Sequence, residues 1–510
     1  MRPQRTILRP RLVPSPAATL TPQSFMALKI PGFGARRKRP RVAVIGLDCA
    51  EPSLVFDKLA GELPNLDRLR RRGLYGELES VIPAITVPAW SCMTSGKDPG
   101  ALGVYGFRNR SDYSYDGLFV ANSEAIREPR LWDILTREGL YSIVLGVPGT
   151  YPPRPVNGVT VSSFLAPSIE HEYTYPPELK EEIKAWVGTY MLDAEGFRTE
   201  EKAQLLERIY TMTQRRFEVA RRLIRSRPWD LFMMVEMGVD RIHHGFWKAM
   251  DPLHRGHDPS SPFRDAIPDY YRYVDREIGT LLEALGPDTH VLVVSDHGAR
   301  RMDGGICINE WLIREGYLVL AEEPDLSRGP VKFQQLKVDW SRTRAWAEGG
   351  YYGRVFLNVR DREPQGVVAP EEYELLRDEL TRELEALGDE NGNPIGTRCF
   401  RPQDLYDSAQ GVPPDLLVYF GNLAWRSVGS VGWGTIHVFE NDTGPDDANH
   451  AQQGILIYSD PGRNLGGKRL EGLHLLQVAP TVLRLLRREV PFDMQMEPIA
   501  EICEEAVAAR

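Results

Sequence analysis

Arg41-Val-Ala-Val-Ile-Gly-Leu47 is an almost unbroken apolar run, rich in Val and Ile, that stops on Asp48. A short run of that kind, without polar alternation, reads as a strand buried on both faces. The pattern returns at Trp229 to Val235, at His290 to Ser295 and at Gly454 to Tyr458, with a shorter version at Tyr141 to Leu145. Helical patterns lie between them: Leu63 to Arg72 ending at Gly73, Leu131 to Glu138 ending at Gly139, and about Tyr270 to Leu285. Strands alternating with helices predict an α/β fold, a mostly parallel sheet with helices on both faces.

Two stretches break the rhythm. Residues 167–227 are polar, with a long helical pattern from about Thr199 to Ser226. Residues 321–412 combine a strand (Arg354 to Val359), a charged helix (Pro370 to Leu387) and a turn-rich segment from Asp389 to Pro394. Both are expected as insertions capping the ligand edge of one catalytic domain over residues 41–510. Residues 1–40 read as a basic, Pro-rich disordered arm whose densest charge is Arg36-Arg37-Lys38-Arg39. A solvated tail is the simpler reading of that run, and a weak contact with an anionic membrane surface the other. The arm lacks the apolar core of a secretory signal, which points to the cytoplasm, and Met1 and Met26 are both candidate starts.

The 510 residues are 42% apolar and 26% charged, the balance of a globular chain. Lys and Arg number 62 against 71 Asp and Glu, a net charge of −9, which argues against a nucleic-acid platform. The five Cys include no CxxC pair, so neither a disulfide framework nor a thiolate zinc site is expected. No apolar run approaches the roughly 20 residues of a membrane-spanning helix.

In an open parallel sheet, ligands bind beyond the carboxyl ends of the strands. Asp48, Asp240 and Asp296 each follow a buried-strand pattern at that edge. Asp alone is an ordinary turn residue, but these come with histidines. His297 follows Asp296 directly in Ser-Asp-His-Gly298. His244 lies four residues after Asp240, one helical turn on, and His243 lies three after it; helix geometry alone leaves both open. His450 sits in the loop Gly444 to Gln453 before a strand. Carboxylate with imidazole suits zinc, or manganese, and the absence of thiolates favours a catalytic site. Six ligands exceed one catalytic ion and divide into two sets of three, for two divalent cations roughly 4 Å apart of the kind that clamp an in-line phosphoryl displacement. In Pro83-Ala-Ile-Thr-Val-Pro-Ala-Trp-Ser-Cys-Met-Thr-Ser-Gly96, Pro88 and Gly96 frame a short helix, and Thr86 falls at its N-terminus. Taken alone, an ordinary helix cap is the simpler reading, yet a hydroxyl there is also placed to become a nucleophile. Ser91, Thr94 and Ser95 lie deeper in the helix.

These strings, VAVIGLDCAEPSLV, LPNLDRLRRRGLYGELESVIPAITVPAWSCMTSGKDPG, the Asp240/His244 pair, SDHG and NHAQQGILIYSDPG, resemble the alkaline phosphatase superfamily. They are most similar to its type I phosphodiesterase/nucleotide pyrophosphatase branch and to its predicted phosphohydrolase and phosphomutase relatives. The resemblance runs from Arg41 to about Leu486 and implies the fold of that superfamily. It also implies that Asp48, Thr86, Asp296 and His297 hold one metal and Asp240, His244 and His450 the other, and that His244 is chosen over His243 and His450 over His437. Thr86 would then attack phosphorus to give a phosphothreonine intermediate. One position departs: the branch has an Asn about twenty residues after the nucleophile, and Phe107 stands there, so Arg108, Asn109 or Arg110 is expected to take over the phosphate contact. Leu102 replaces a His of the related HG motif, and the nucleophile motif of the sulfatase branch is absent. Tyr351, Tyr352 and Arg354 are further candidate contacts. The expectation is a metal-dependent hydrolase of a small phosphoester, probed against a phosphomonoesterase or phosphomutase and against a non-catalytic binding relative.

Overall fold

A computed structural model describes residues 39–507. Its centre is a nine-stranded sheet whose strands are β1 (Arg41–Leu47), β2 (Leu74–Glu79), β3 (Ser142–Leu145), β4 (Gly158–Val161), β5 (Thr174–Tyr175), β6 (Leu231–Glu236), β7 (Thr289–Val294), β8 (Gln453–Ser459) and β9 (Lys468–His474). The spatial order is β9-β2-β8-β7-β1-β6-β3-β4-β5. β1 pairs in parallel with β6 and β7, and only β8 and the edge strand β5 run against their neighbours.

The apolar run of β1 is buried on both sides. Ala43, Ile45 and Leu47 face one hydrophobic cluster, and Val42 and Val44 face another. Helices Pro64–Arg72, Lys202–Ser226, Gly238–Met250 and Ala266–Leu285 contribute to the first. Helices Thr86–Ser95, Leu131–Arg137 and Val478–Leu485 contribute to the second. The expected layering is therefore present.

The two irregular stretches take different places. In residues 167–227 the helix near Thr199 to Ser226 forms as Lys202–Ser226, but it is a layer helix on the central sheet rather than a cap. Its stripe Leu205, Ile209, Met212, Phe217, Ala220 and Leu223 is apolar at helical spacing and needs a sheet face to cover it. The same stretch supplies β5 to the sheet. Residues 321–412 belong to a second, antiparallel sheet of order Ala345–Glu348, Gly353–Leu357, Leu416–Tyr419, Arg398–Phe400, so that unit runs past Val412. It has its own core around Trp346, Phe356, Leu380 and Leu384. Residues 1–38 of the basic arm lie outside the described residues. Among the described residues no helix is long and apolar enough to cross a membrane.

Candidate active site

Each candidate side chain is set by where an element begins or ends. β1 ends one residue before Asp48, and β7 ends two before Asp296, with His297 next. Beyond β6 the helix Gly238–Met250 places Asp240 in its first turn and His244 a turn later. Thr86 is the first residue of helix Thr86–Ser95. His450 lies in strand Ala448–Ala451, which pairs antiparallel with Gly298–Arg301 and sets His450 opposite Ala299. That pairing stacks the rings of His450 and His297, with centroids 3.9 Å apart. Residues as many as 402 positions apart in sequence thus meet at one sheet edge, and none of the seven exposes more than 4% of its surface.

They form two compact sets. Donor atoms of Asp48, Asp296 and His297 lie within 4.8 Å of one another, and so do those of Asp240, His244 and His450. The Thr86 hydroxyl lies 3.4 Å from His297 Nε2. His244 Nε2 is 3.2 Å, and His450 Nε2 3.7 Å, from Asp240 Oδ1. The supporting bonds leave Nε2 of each histidine turned to the cluster. Nδ1 of His244 meets Asp446 Oδ1 at 2.6 Å, Nδ1 of His297 the carbonyl of Gly298 at 3.1 Å, and Nδ1 of His450 the carbonyl of Ala84 at 3.1 Å. Trp90 Nε1 donates to Asp48 Oδ2 at 2.7 Å, and the Cys49 amide to Asp296 Oδ1 at 3.2 Å.

The electrostatics of this edge call for cations. Asp48 Oδ1 and Asp296 Oδ2 are buried without a hydrogen-bond partner, although His297 Nε2 stands 3.9 and 3.2 Å from them. Burial drives the pKa of both carboxyls well up, and the charge of Asp240 adds to it for Asp48, as that of Asp48 does for Asp296. Burial opposes ionisation of Asp240 too, but His244 and Arg241 hold its carboxyl well below the usual range. Burial lowers His297 to about 4 and, with His297 beside it, lowers His450 well below an ordinary imidazole. Against burial, Asp446 and Asp240 raise His244 to about 9. Clustered carboxylates with unmatched lone pairs, beside the neutral imidazoles of His297 and His450, fit a pair of divalent cations, since buried carboxylates need a compensating charge.

His243 belongs elsewhere. Its Nε2 meets the Tyr271 hydroxyl at 3.2 Å, its ring packs between Trp247 and Tyr271, and burial lowers it to about 3. Accordingly His244→Ala is expected to cut kcat/KM by about 100-fold or more, as losses of metal-site groups do. His243→Ala should stay within about threefold in rate and show its cost in thermal melting instead, through lost core packing. The reverse ranking of the two rates would mean that the cluster is not the reactive one.

A cavity of about 400 Å3 beside Thr86, Asp240 and His450 is also lined by Tyr351 and Tyr352, in the turn between strands Ala345–Glu348 and Gly353–Leu357 of the second sheet, and by Arg354 in the latter strand. Phe107 and Arg108 line it, Phe107 with its ring edge-on to Phe164 at 5.9 Å. Asn109 does not reach the cavity. Its Oδ1 accepts from the Tyr105 amide at 2.7 Å and its Nδ2 donates to the Gly106 carbonyl at 3.0 Å, so a local turn uses the amide that the substrate was expected to take. Arg110 is also diverted, 3.3 Å from Glu363 and over the rings of Trp346 and Phe356. Sequence reading missed Arg198, Arg241 and Arg426 on the cavity wall, and Asp446 behind His244. Asp446 lies four residues before His450, just ahead of strand Ala448–Ala451, and that closeness in sequence was the available signal.

The chain matches the family described as type I phosphodiesterase / nucleotide pyrophosphatase over residues 42–446. The solved structure of human ectonucleotide pyrophosphatase/phosphodiesterase 5 superposes with a TM-score of 0.51 at 13% identity, covering 88% of this chain and 96% of that one. Its murine counterpart, an inactive threonine-to-alanine variant in complex with AMP, gives a TM-score of 0.52 at 13% identity, covering 89% and 96%. No curated protein sequence matches the chain.

Proposed function

Because this chain belongs to the type I phosphodiesterase/nucleotide pyrophosphatase family of metal-dependent phosphoric ester hydrolases, we propose that it cleaves a phosphodiester in two displacements with Thr86 as nucleophile. The observation that carries this reading is the meeting of Thr86 with two buried Asp/His triads at the mouth of one cavity. Asp48, Asp296 and His297 would hold one cation, with Thr86 beside it, and Asp240, His244 and His450 the other. Two divalent ions in those sets, zinc or manganese, would neutralise the phosphoryl oxygens and favour ionisation of the threonine hydroxyl and of the hydrolytic water.

The residues supply the rest. Thr86 Oγ1 stands at the positive end of a ten-residue helix, where developing negative charge is stabilised. Its attack forms an Oγ1–P bond as the bond from phosphorus to the departing alcohol breaks, and that alcohol leaves with a proton drawn from solvent. Water then attacks phosphorus, the Oγ1–P bond breaks, and the threonine regains its proton. The net change is one ester bond hydrolysed by one water. Phe107 and Tyr351 narrow the cavity around the ester and exclude competing water. The murine neighbour, inactive with a threonine replaced by alanine and bound to AMP, is consistent with a nucleophilic threonine and a nucleotide-sized ligand.

A comparison of bis(p-nitrophenyl) phosphate with p-nitrophenyl phosphate, each with zinc and with manganese, tests the proposal. The diester is expected to turn over at least about tenfold faster in kcat/KM, a difference that a few placed contacts can supply. Faster turnover of the monoester would replace this reading with a phosphomonoesterase or phosphomutase.

A further inference from the structure

Five guanidinium groups line the cavity beside Thr86, those of Arg108, Arg198, Arg241, Arg354 and Arg426. Two are matched at short range. Arg241 grips Asp193 through two bonds of 2.8 Å and also reaches Asp240. Arg198 holds Asp446 at 3.0 Å and donates to the Tyr351 hydroxyl. Arg354 and Arg426 are held more loosely, although both are buried. Arg426 is 4% exposed, donates to Thr443 Oγ1 at 3.1 Å, stands 3.6 Å from Asp442, and has an Nε without a partner. Arg354 is 7% exposed and donates to the Arg108 carbonyl. Its carboxylate neighbour Glu348 keeps Oε2 3.5 Å away, while Glu348 Oε1 accepts from Gln334 Nε2 at 2.9 Å.

The two arginines are brought together by backbone pairing. Gly350 and Ser427 exchange hydrogen bonds of 2.8 and 3.0 Å, which sets the turn before Arg354 against the strand that carries Arg426. A buried guanidinium whose nearest carboxylate stands 3.5 or 3.6 Å away, outside hydrogen-bond reach, keeps donor capacity to spare, and its planar fork matches a phosphate or carboxylate. We infer that Arg354 and Arg426 form a subsite for a second oxyanion of the substrate, a phosphate or a carboxylate carried beside the phosphoryl group that Thr86 attacks. The inference rests on the phosphoester reading above and narrows it to substrates with two anionic groups. A purely structural role competes with it, because Arg354 and Glu348 face each other in register across the hairpin.

Calorimetric binding to the metal-loaded full chain separates the two. The probes are methylphosphonate with one oxyanion, phosphonoacetate with a carboxylate as the second, and 1,2-ethanediphosphonate with a phosphonate as the second. At least one two-anion probe is expected to bind about tenfold or more tighter than methylphosphonate, the scale of one good charge-assisted pair, and the tighter of the two identifies the second group. Arg354→Gln and Arg426→Gln should each erase most of that preference. Glu348→Gln, which breaks the same cross-strand pair but keeps Arg354, should retain or raise it. Arg426→Gln breaks no in-register pair and decides the matter if Arg354→Gln melts early. Equal affinity for one-anion and two-anion probes in the unaltered protein would overturn the subsite, and so would a preference that survives both arginine changes or is lost in Glu348→Gln. A binding preference that persists while neither chromogenic ester is hydrolysed would instead overturn the catalytic reading and leave the subsite standing.

Discussion

Thr86→Ala is expected to lower kcat/KM for a diester by at least about 1,000-fold, the scale of losing a covalent nucleophile, with metal content nearly unchanged. Thr86 is buried and its hydroxyl meets His297 at 3.4 Å, yet the six carboxylate and imidazole donors do not depend on it. Removing one Oγ should therefore leave both triads assembled. An ordinary helix cap would behave differently: its loss costs about 1 kcal/mol of stability and leaves the chemistry alone. In this protein the side chain of Thr86 makes no capping bond, and Ile85 occupies the cap position. Steady-state rates, metal analysis and a melting curve on the same preparation check the prediction. A variant with full activity would remove Thr86 from the nucleophile's role, and one that lost both metal and fold would assign it to structure.

Much of this arrangement was legible before any coordinates, for a definite reason. A parallel strand buried on both faces must be apolar along its whole length, so RVAVIGL and HVLVVS stand out, and the first polar residues beyond them mark the ligand edge. Asp48, Asp296 and His297 are found there by counting. Strand direction carries no such mark: β8 has a continuous buried run, Gly454 to Tyr458, as β7 has from Val291 to Val294, but it runs against β7. The helix Lys202–Ser226 was visible by its period, whereas its position was not, because an amphipathic stripe says that a face is covered and not which one. Asn109 was misplaced for a related reason. A short amide side chain serves its own turn as readily as a ligand, and only coordinates show that the Tyr105 amide has taken it. The cavity arginines come from a layer helix (Arg241), the segment before another (Arg198), the second sheet (Arg354) and two smaller sheets (Arg108, Arg426), where long charged side chains follow no period, and tertiary pairing alone gathers them.

Removal of divalent metal is expected to abolish turnover and also to soften the fold, increasingly so at higher pH. Without cations the site keeps Asp48 and Asp296 side by side in a buried pocket, each with an oxygen that no donor reaches. Their pKa values, raised by burial, mean that the metal-free folded state keeps protons that the unfolded chain has released. That contribution to stability is full below the ordinary carboxylate value and disappears as pH climbs through the raised one. Divalent ions replace those protons, so the loaded protein escapes the loss. Two ions each present at 100 times their dissociation constant add about 5 kcal/mol, and an unfolding entropy near 2.1 cal/mol/K for each of roughly 470 residues makes that about 5 °C in melting temperature. Melting curves of metal-loaded and chelator-treated protein from pH 5 to pH 8 should therefore diverge as pH rises, with activity present only in the loaded sample. Undiminished turnover after rigorous chelation would refute the two-cation site, and a melting gap that narrowed with rising pH would show that these carboxylates are balanced by something other than bound cations.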